Sequence, residues 1–156
     1  KHSAMSPSLW TERIEINEVL SMKLSYPVCI YPNDTEPGFT AIVPDLPGCV
    51  TCGDTMQEVF EMAVDAASGW VLTELEDGNL PPKASNIAEV HADEYPDGFT
   101  SMVFLDMDEY AQKWGDKAVR KNCTIPAWLN SFAEKANVNF SAVLQEALIE
   151  QLHVNS

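Results

Sequence analysis

Val119-Arg120-Lys121-Asn122-Cys123-Thr124-Ile125-Pro126 is the stretch on which the fold of this chain turns. Its residues alternate as a strand does. Val119, Cys123 and Ile125 point one way, with Lys121 the one polar interruption, and Arg120, Asn122 and Thr124 point the other. Pro126 ends the strand and suits the first turn of a helix. Trp128, Leu129, Phe132, Ala133 and Ala136 recur at helical spacing beyond it, and Asn137 fits a left-handed helix stop. A second helix starting at Asn139 or Ser141 carries Val143, Leu144, Ala147, Leu148 and Leu152 on one face. One strand and two short helices cannot bury these apolar rows. Two copies can, with the strands paired antiparallel over four interlocked helices. The free strand face then presents Arg120, Asn122 and Thr124 twice, on a ribbon of major-groove width and with side chains able to read base edges. Lys121 joins them as a DNA-binding candidate. Amides near Phe140 and Ser141, at the start of the second helix, are placed to hold a phosphate.

Working outward, the charge distribution separates this tail from the rest. The chain has 156 residues and a net charge of −15. Residues 24–112 hold 17 acidic residues and one basic residue, Lys83, whereas residues 113–156 hold five basic and four acidic ones. An acidic body repels nucleic acid and attracts a basic partner. The small tail, with four of its basic residues between 113 and 121, can still reach phosphate.

The body reads as strand-strand-strand-helix-strand. Leu24–Tyr31 places Leu24, Tyr26, Val28 and Ile30 on one face; Asn33–Gly38 is a turn; Phe39–Val43 and Cys49–Cys52 are the next two strands, joined by Pro44-Asp45-Leu46-Pro47-Gly48. The period changes at Thr55. Met56, Val59, Phe60, Ala63, Ala67, Trp70 and Val71 mark a helix that runs to about Leu75 and stops before Asp77-Gly78, with Thr55 and Glu58 as a capping box. A polar loop from Pro81-Pro82 to about Asp97 leads to a buried strand over Phe99–Met107, and Asp108–Asp116 is a short helix or linker. The fold class is α+β, a helix packed on one face of a sheet. The expected divisions are a leader or upstream extension at 1–21, a body at 22–110, a linker at 111–117 and the tail at 118–153.

The tail resembles the ribbon-helix-helix repressors through Arg120, Asn122, Thr124, Ile125 and Pro126; Lys121 stands where many members carry an apolar residue. The body resembles the HicB-type antitoxins through Tyr26-Pro27-Val28, Gly38-Phe39-Thr40-Ala41, Pro44-Asp45-Leu46-Pro47-Gly48-Cys49, Thr51 and Gly53-Asp54-Thr55. Together the two resemblances cover about residues 22–153. They imply a partial RNase H-like domain followed by a dimeric ribbon-helix-helix domain. They further imply a HicA-type toxin partner, an mRNA interferase whose RNA-binding surface the body blocks, and operator DNA bound by the tail to repress the toxin–antitoxin operon. A homodimer is expected, with pairing into a higher oligomer left open. Asp45, Leu46 and Pro47 in the loop, and Glu58, Glu61 and Asp65 on the acidic helix face, are the toxin-contact candidates.

Two other readings compete. A metal-dependent nuclease would need carboxylates converging on one face, and Asp45, Asp54, Asp106 and Asp108 are its candidates. A ligand-sensing repressor would need no toxin. Cys49 and Cys52 form a CxxC, but in a strand they face opposite sides and cannot chelate one ion. His2, His91 and His153 are isolated. No catalytic, metal or cofactor site is expected. The four cysteines lie in no disulfide-like framework and no transmembrane stretch is apparent, so the expected compartment is a reducing cytoplasm.

Overall fold

Tyr26-Pro27-Val28-Cys29-Ile30 is apolar without a break, and in the computed structural model, which describes residues 23–152, all five are buried. They lie in β1 (Lys23–Pro32), at the centre of a four-stranded antiparallel sheet with β2 (Phe39–Ile42), β3 (Val50–Gly53) and β4 (Phe99–Asp106) in the order β3-β2-β1-β4. The leader expected at 1–21 lies outside the described residues.

One face of the sheet packs on the helix α1 (Met56–Glu76), and Tyr26, Val28, Ile30, Ala41, Val103 and Leu105 meet Val59, Ala63, Ala67 and Val71 in a single core. The small residues on this helix let its backbone approach the sheet closely. At Gly53 there is no room even for a methyl group, since a Cβ there would sit 2.8 Å from the backbone carbon of Glu58. Both side chains hold the helix start: Thr55 Oγ1 accepts from the Glu58 amide, as in a capping box, and Glu58 Oε2 reaches one residue past the cap to accept from the Asp54 amide.

The second face is half covered, and the strict alternation expected of β1 fails for that reason. The loop between α1 and β4, with a 3-10 turn at Ile87–Glu89, folds back over the sheet. Tyr95 stacks on Tyr31 with centroids 4.1 Å apart, Ala92 is buried, and Thr100 Oγ1 donates to the Val90 carbonyl. Cys29 is buried beneath this loop.

Beyond β4, Asp106 caps the helix α2 (Met107–Trp114), accepting from the Glu109 amide, and Tyr110 packs on the core. The chain divides into two compact units between Gly115 and Asp116. Residues 111–114, expected in the linker, therefore belong to a helix of the first unit. The second unit contains α3 (Ala127–Lys135) and α4 (Phe140–Leu152).

The strand expected at Val119–Ile125 is not formed. Residues 115–126 have no regular structure in the single chain, because a strand needs a neighbour for its ladder bonds and the second unit offers none.

Candidate functional site

In the second unit, local chemistry fixes a sharp reversal between two helices. Asn137 sits at φ +55°, the Val138 amide donates to the Ala133 carbonyl, and the Asn137 amide donates to the Glu134 carbonyl. This pair of bonds closes a helix with a left-handed residue, as expected of Asn137. Two residues on, Asn139 Oδ1 accepts from the Ala142 amide and caps α4. The first amides of α4, Phe140 and Ser141, then point out of the helix end with no intrahelical carbonyl to take them.

The turn is well specified, yet the helices it joins bury nothing. Neither α3 nor α4 contains a buried residue. Trp128 is 63% exposed and Phe132 64%, and Leu129, Val143, Leu144, Leu148 and Leu152 are exposed as well. The sequence-predicted face is present, and it is bare. In the preceding segment Val119 is 74% exposed and Ile125 is open too, alongside Arg120, Lys121, Asn122 and Thr124. Both sets of alternating residues are accessible on one chain. Such a run of apolar surface is far more than a monomeric domain leaves in water.

In the first unit, the sequence-predicted contact residues do several different things. Asp45 accepts from the Ser85 amide at 2.8 Å and from Ser85 Oγ at 2.6 Å, tying the β2–β3 loop to the loop after α1. Leu46 is fully buried in the core, and its amide donates to the Val43 carbonyl. A partner cannot touch it without opening the loop, so its place is structural. Pro47 is exposed, and its carbonyl accepts from Trp70 Nε1 at 3.0 Å. The Pro44–Cys49 motif thus works as a clasp, with one side chain in the core and its neighbours holding a helix and a loop.

Glu58, Glu61 and Asp65 share an exposed side of α1. Glu58 is engaged in the cap, Glu61 accepts from Gln57 Nε2, and Asp65 lies close enough to Tyr110 to add to the rise in its pKa that burial begins. Tyr26 is more strongly affected. Its hydroxyl donates to the Pro82 carbonyl at 2.7 Å, and burial, then the Asp45 charge, push its pKa up to about 12.

Of the carboxylates of the nuclease reading, Asp45 holds Ser85, Asp54 precedes α1, Asp106 caps α2 and Asp108 lies in the first turn of α2. Among the described residues no three His, Cys, Asp or Glu side chains gather as a metal site. Cys49 is buried and Cys52 exposed, in keeping with opposite faces. No helix among the described residues is long and apolar enough to cross a membrane.

The profile of the family described as HicB_like antitoxin of bacterial toxin-antitoxin system matches residues 26–148, spanning both units. The chain belongs to this HicB-like antitoxin family. It is 34% identical over 105 residues to a 14.9 kDa protein of the rep-hol intergenic region of Haemophilus phage HP1, covering 67% of this chain and 74% of the phage protein. A UPF0150 protein of Synechocystis is 34% identical over 68 residues, 43% of this chain and 92% of that one. Among solved structures, the fold is similar to a chain of a toxin–antitoxin complex from Streptococcus pneumoniae, with a TM-score of 0.55 at 24% identity, covering 83% of this chain and 99% of the other. The residues around Asp45 hold the body together in this structure.

Sequence reasoning missed the clasp and the cover over the second sheet face. The unbroken apolar run through Pro27 and Cys29 was the available signal for the cover, because a strand with one wet face would alternate.

Proposed function

We propose that this HicB-like chain is an antitoxin and autorepressor with a division of labour between its units. The body, a reduced RNase H-like scaffold, binds and neutralises a basic HicA-type toxin. The second unit dimerises as a ribbon-helix-helix and binds operator DNA. The observation that carries the reading is the pair of well-capped helices with no buried residue, next to a strand-like segment that offers Arg120, Asn122 and Thr124. A second copy supplies both missing partners at once: a ladder for residues 119–125 and a core for α3 and α4. The amides at Phe140 and Ser141 then hold a phosphate, and Lys121 adds charge at the ribbon.

The charge of the body supports the other half. A net of −16 over residues 24–112 suits a surface that competes with RNA for a basic protein. Asp45, Pro47, Glu58, Glu61 and Asp65 remain contact candidates in this reading, and Leu46 is withdrawn from them. In this reading the body binds rather than cleaves: Asp45 holds Ser85 and Asp106 caps α2. The toxin–antitoxin complex from Streptococcus pneumoniae is the precedent for a chain of this fold in such an assembly.

Arg120→Ala tests the division. Loss of one base contact costs about 1–3 kcal/mol, and a dimer loses two, so operator affinity is expected to fall by at least about 30-fold. Toxin neutralisation, read as rescue of growth, is expected to stay at the wild-type level. A folded variant that loses both activities equally refutes the reading.

A further inference from the structure

The edge of the sheet at β4 is built as an open edge. Natural proteins protect such edges with Lys, Pro, short length or a bulge. β4 has none of these. Its eight residues, Phe-Thr-Ser-Met-Val-Phe-Leu-Asp, include no proline, glycine or lysine, and only the last is charged. Its pairing with β1 runs from Lys23 opposite Asp106 to Ile30 opposite Phe99 without a break. On its other side it has no strand neighbour among the described residues. The opposite edge of the sheet, β3, is only four residues long, which is itself a protection.

Among the described residues, nothing covers the outer face beside this edge in the same place. The loop after α1 shelters Thr100 and Cys29, but the cover ends before the far end of the strand. Phe104 is 72% exposed, and Lys23, Ser25, Phe104 and Asp106 border a shallow depression there. A large aromatic on the bare half of an unprotected edge is an attachment point, with ladder groups for backbone pairing and a ring for a partner side chain.

We infer that the β4 edge with Phe104 is the docking site of the basic partner protein, which adds an edge strand of its own to this sheet. The inference rests on the antitoxin reading above and assigns its contact surface. Charge selects the occupant. A second copy of the body would bring another strongly acidic surface against this one, and like charge opposes that pairing. A basic strand meets Asp97 and Asp106 at the two ends of β4, with its apolar residues over Met102 and Phe104. The partner is held by backbone bonds along the edge and by the aromatic near its far end, and the acidic face of α1 serves mainly to draw it in.

The test uses the full chain and, as probe, a purified HicA-type toxin from the same source. Phe104→Lys is exposed enough to leave the fold intact, which a thermal melt checks, and it places a cation against a basic partner. Affinity is expected to fall by about 30-fold or more, the usual cost of a buried aromatic anchor. Val50→Lys, which places the same cation on the exposed opposite edge strand β3, is expected to change it by less than about 5-fold. Amide exchange is the second readout: amides of residues 99–106 are expected to exchange freely on the edge side in the free chain and to become protected in the complex. Binding by Phe104→Lys at wild-type affinity, with no new protection in β4, overturns the inference and leaves the antitoxin reading standing. Protection of the edge already in the free chain overturns it equally, since the chain then covers that edge itself. Absence of any complex with the wild type refutes the antitoxin reading, and this inference with it.

Discussion

Leu46→Ala separates a structural residue from a contact residue at the centre of the family signature. Leu46 is completely buried, and its side chain closes the β2–β3 loop onto the core. The substitution removes three carbon groups from that site. Transfer of those groups to water accounts for about 2.4 kcal/mol, at about 0.8 per group. The cavity adds to this, though a loop can settle into part of it, so the expected loss is about 3 kcal/mol, within the usual range for buried Leu→Ala changes. At a urea slope of about 1.5 kcal/mol/M the midpoint falls by about 2 M. Trp70 is a local reporter, because its indole donates to the carbonyl of Pro47, the next residue. Its fluorescence can be followed in a background with Trp10, Trp114 and Trp128 replaced by Phe. Pro47→Ala, at an exposed neighbour, is expected to cost less than about 0.5 kcal/mol. Where both proteins are folded, Leu46→Ala is expected to bind the partner as the wild type does. A loss below about 1 kcal/mol, or a loss of affinity without loss of stability, refutes the assignment of Leu46 to the core.

Two further outcomes follow from the body. The folded pKa of Tyr26, about 12, lies above the unfolded value near 10, so its contribution is complete below pH 10 and is lost as pH rises toward 12. Wild-type stability is expected to fall by about 2 kcal/mol across that window. Tyr26→Phe should flatten the slope while losing about 1 kcal/mol at neutral pH with the bond to the Pro82 carbonyl; identical urea midpoints against pH for the two proteins contradict this. Gly53→Ala forces a Cβ against the backbone of Glu58 and Val59 and must push α1 off β3, so a loss of about 3 kcal/mol in urea unfolding is expected, and a loss under about 0.5 kcal/mol contradicts it.

Much of the architecture was legible because the relevant signals are local. The change from period two to period 3.6 at Thr55, the helix start held by Thr55 and Glu58, and the left-handed stop at Asn137 each reside in a few adjacent residues, and each is present as read. The signals that failed were non-local. Nothing near Tyr95 announces that it will stack on Tyr31, and nothing near Asp45 announces Ser85, forty residues away. Asp45 and Leu46 looked like a recognition loop because proline, aspartate and glycine mark surface turns. The adjacent leucine turned inward, a choice made by the core and not by the turn. The strand at Val119–Ile125 is a different case. Its alternation is plain, but a strand is a relation between two segments, and its complement is not among the described residues of the single chain.

Folding in the second unit is bimolecular in consequence. Two helices that bury nothing within one chain would gain their core only from the second copy proposed above, so their stability would depend on chain concentration and fall on dilution. On the proposed reading, a repressor made this way would measure its own abundance: plentiful chains would pair their tails, and scarce chains would leave them apart.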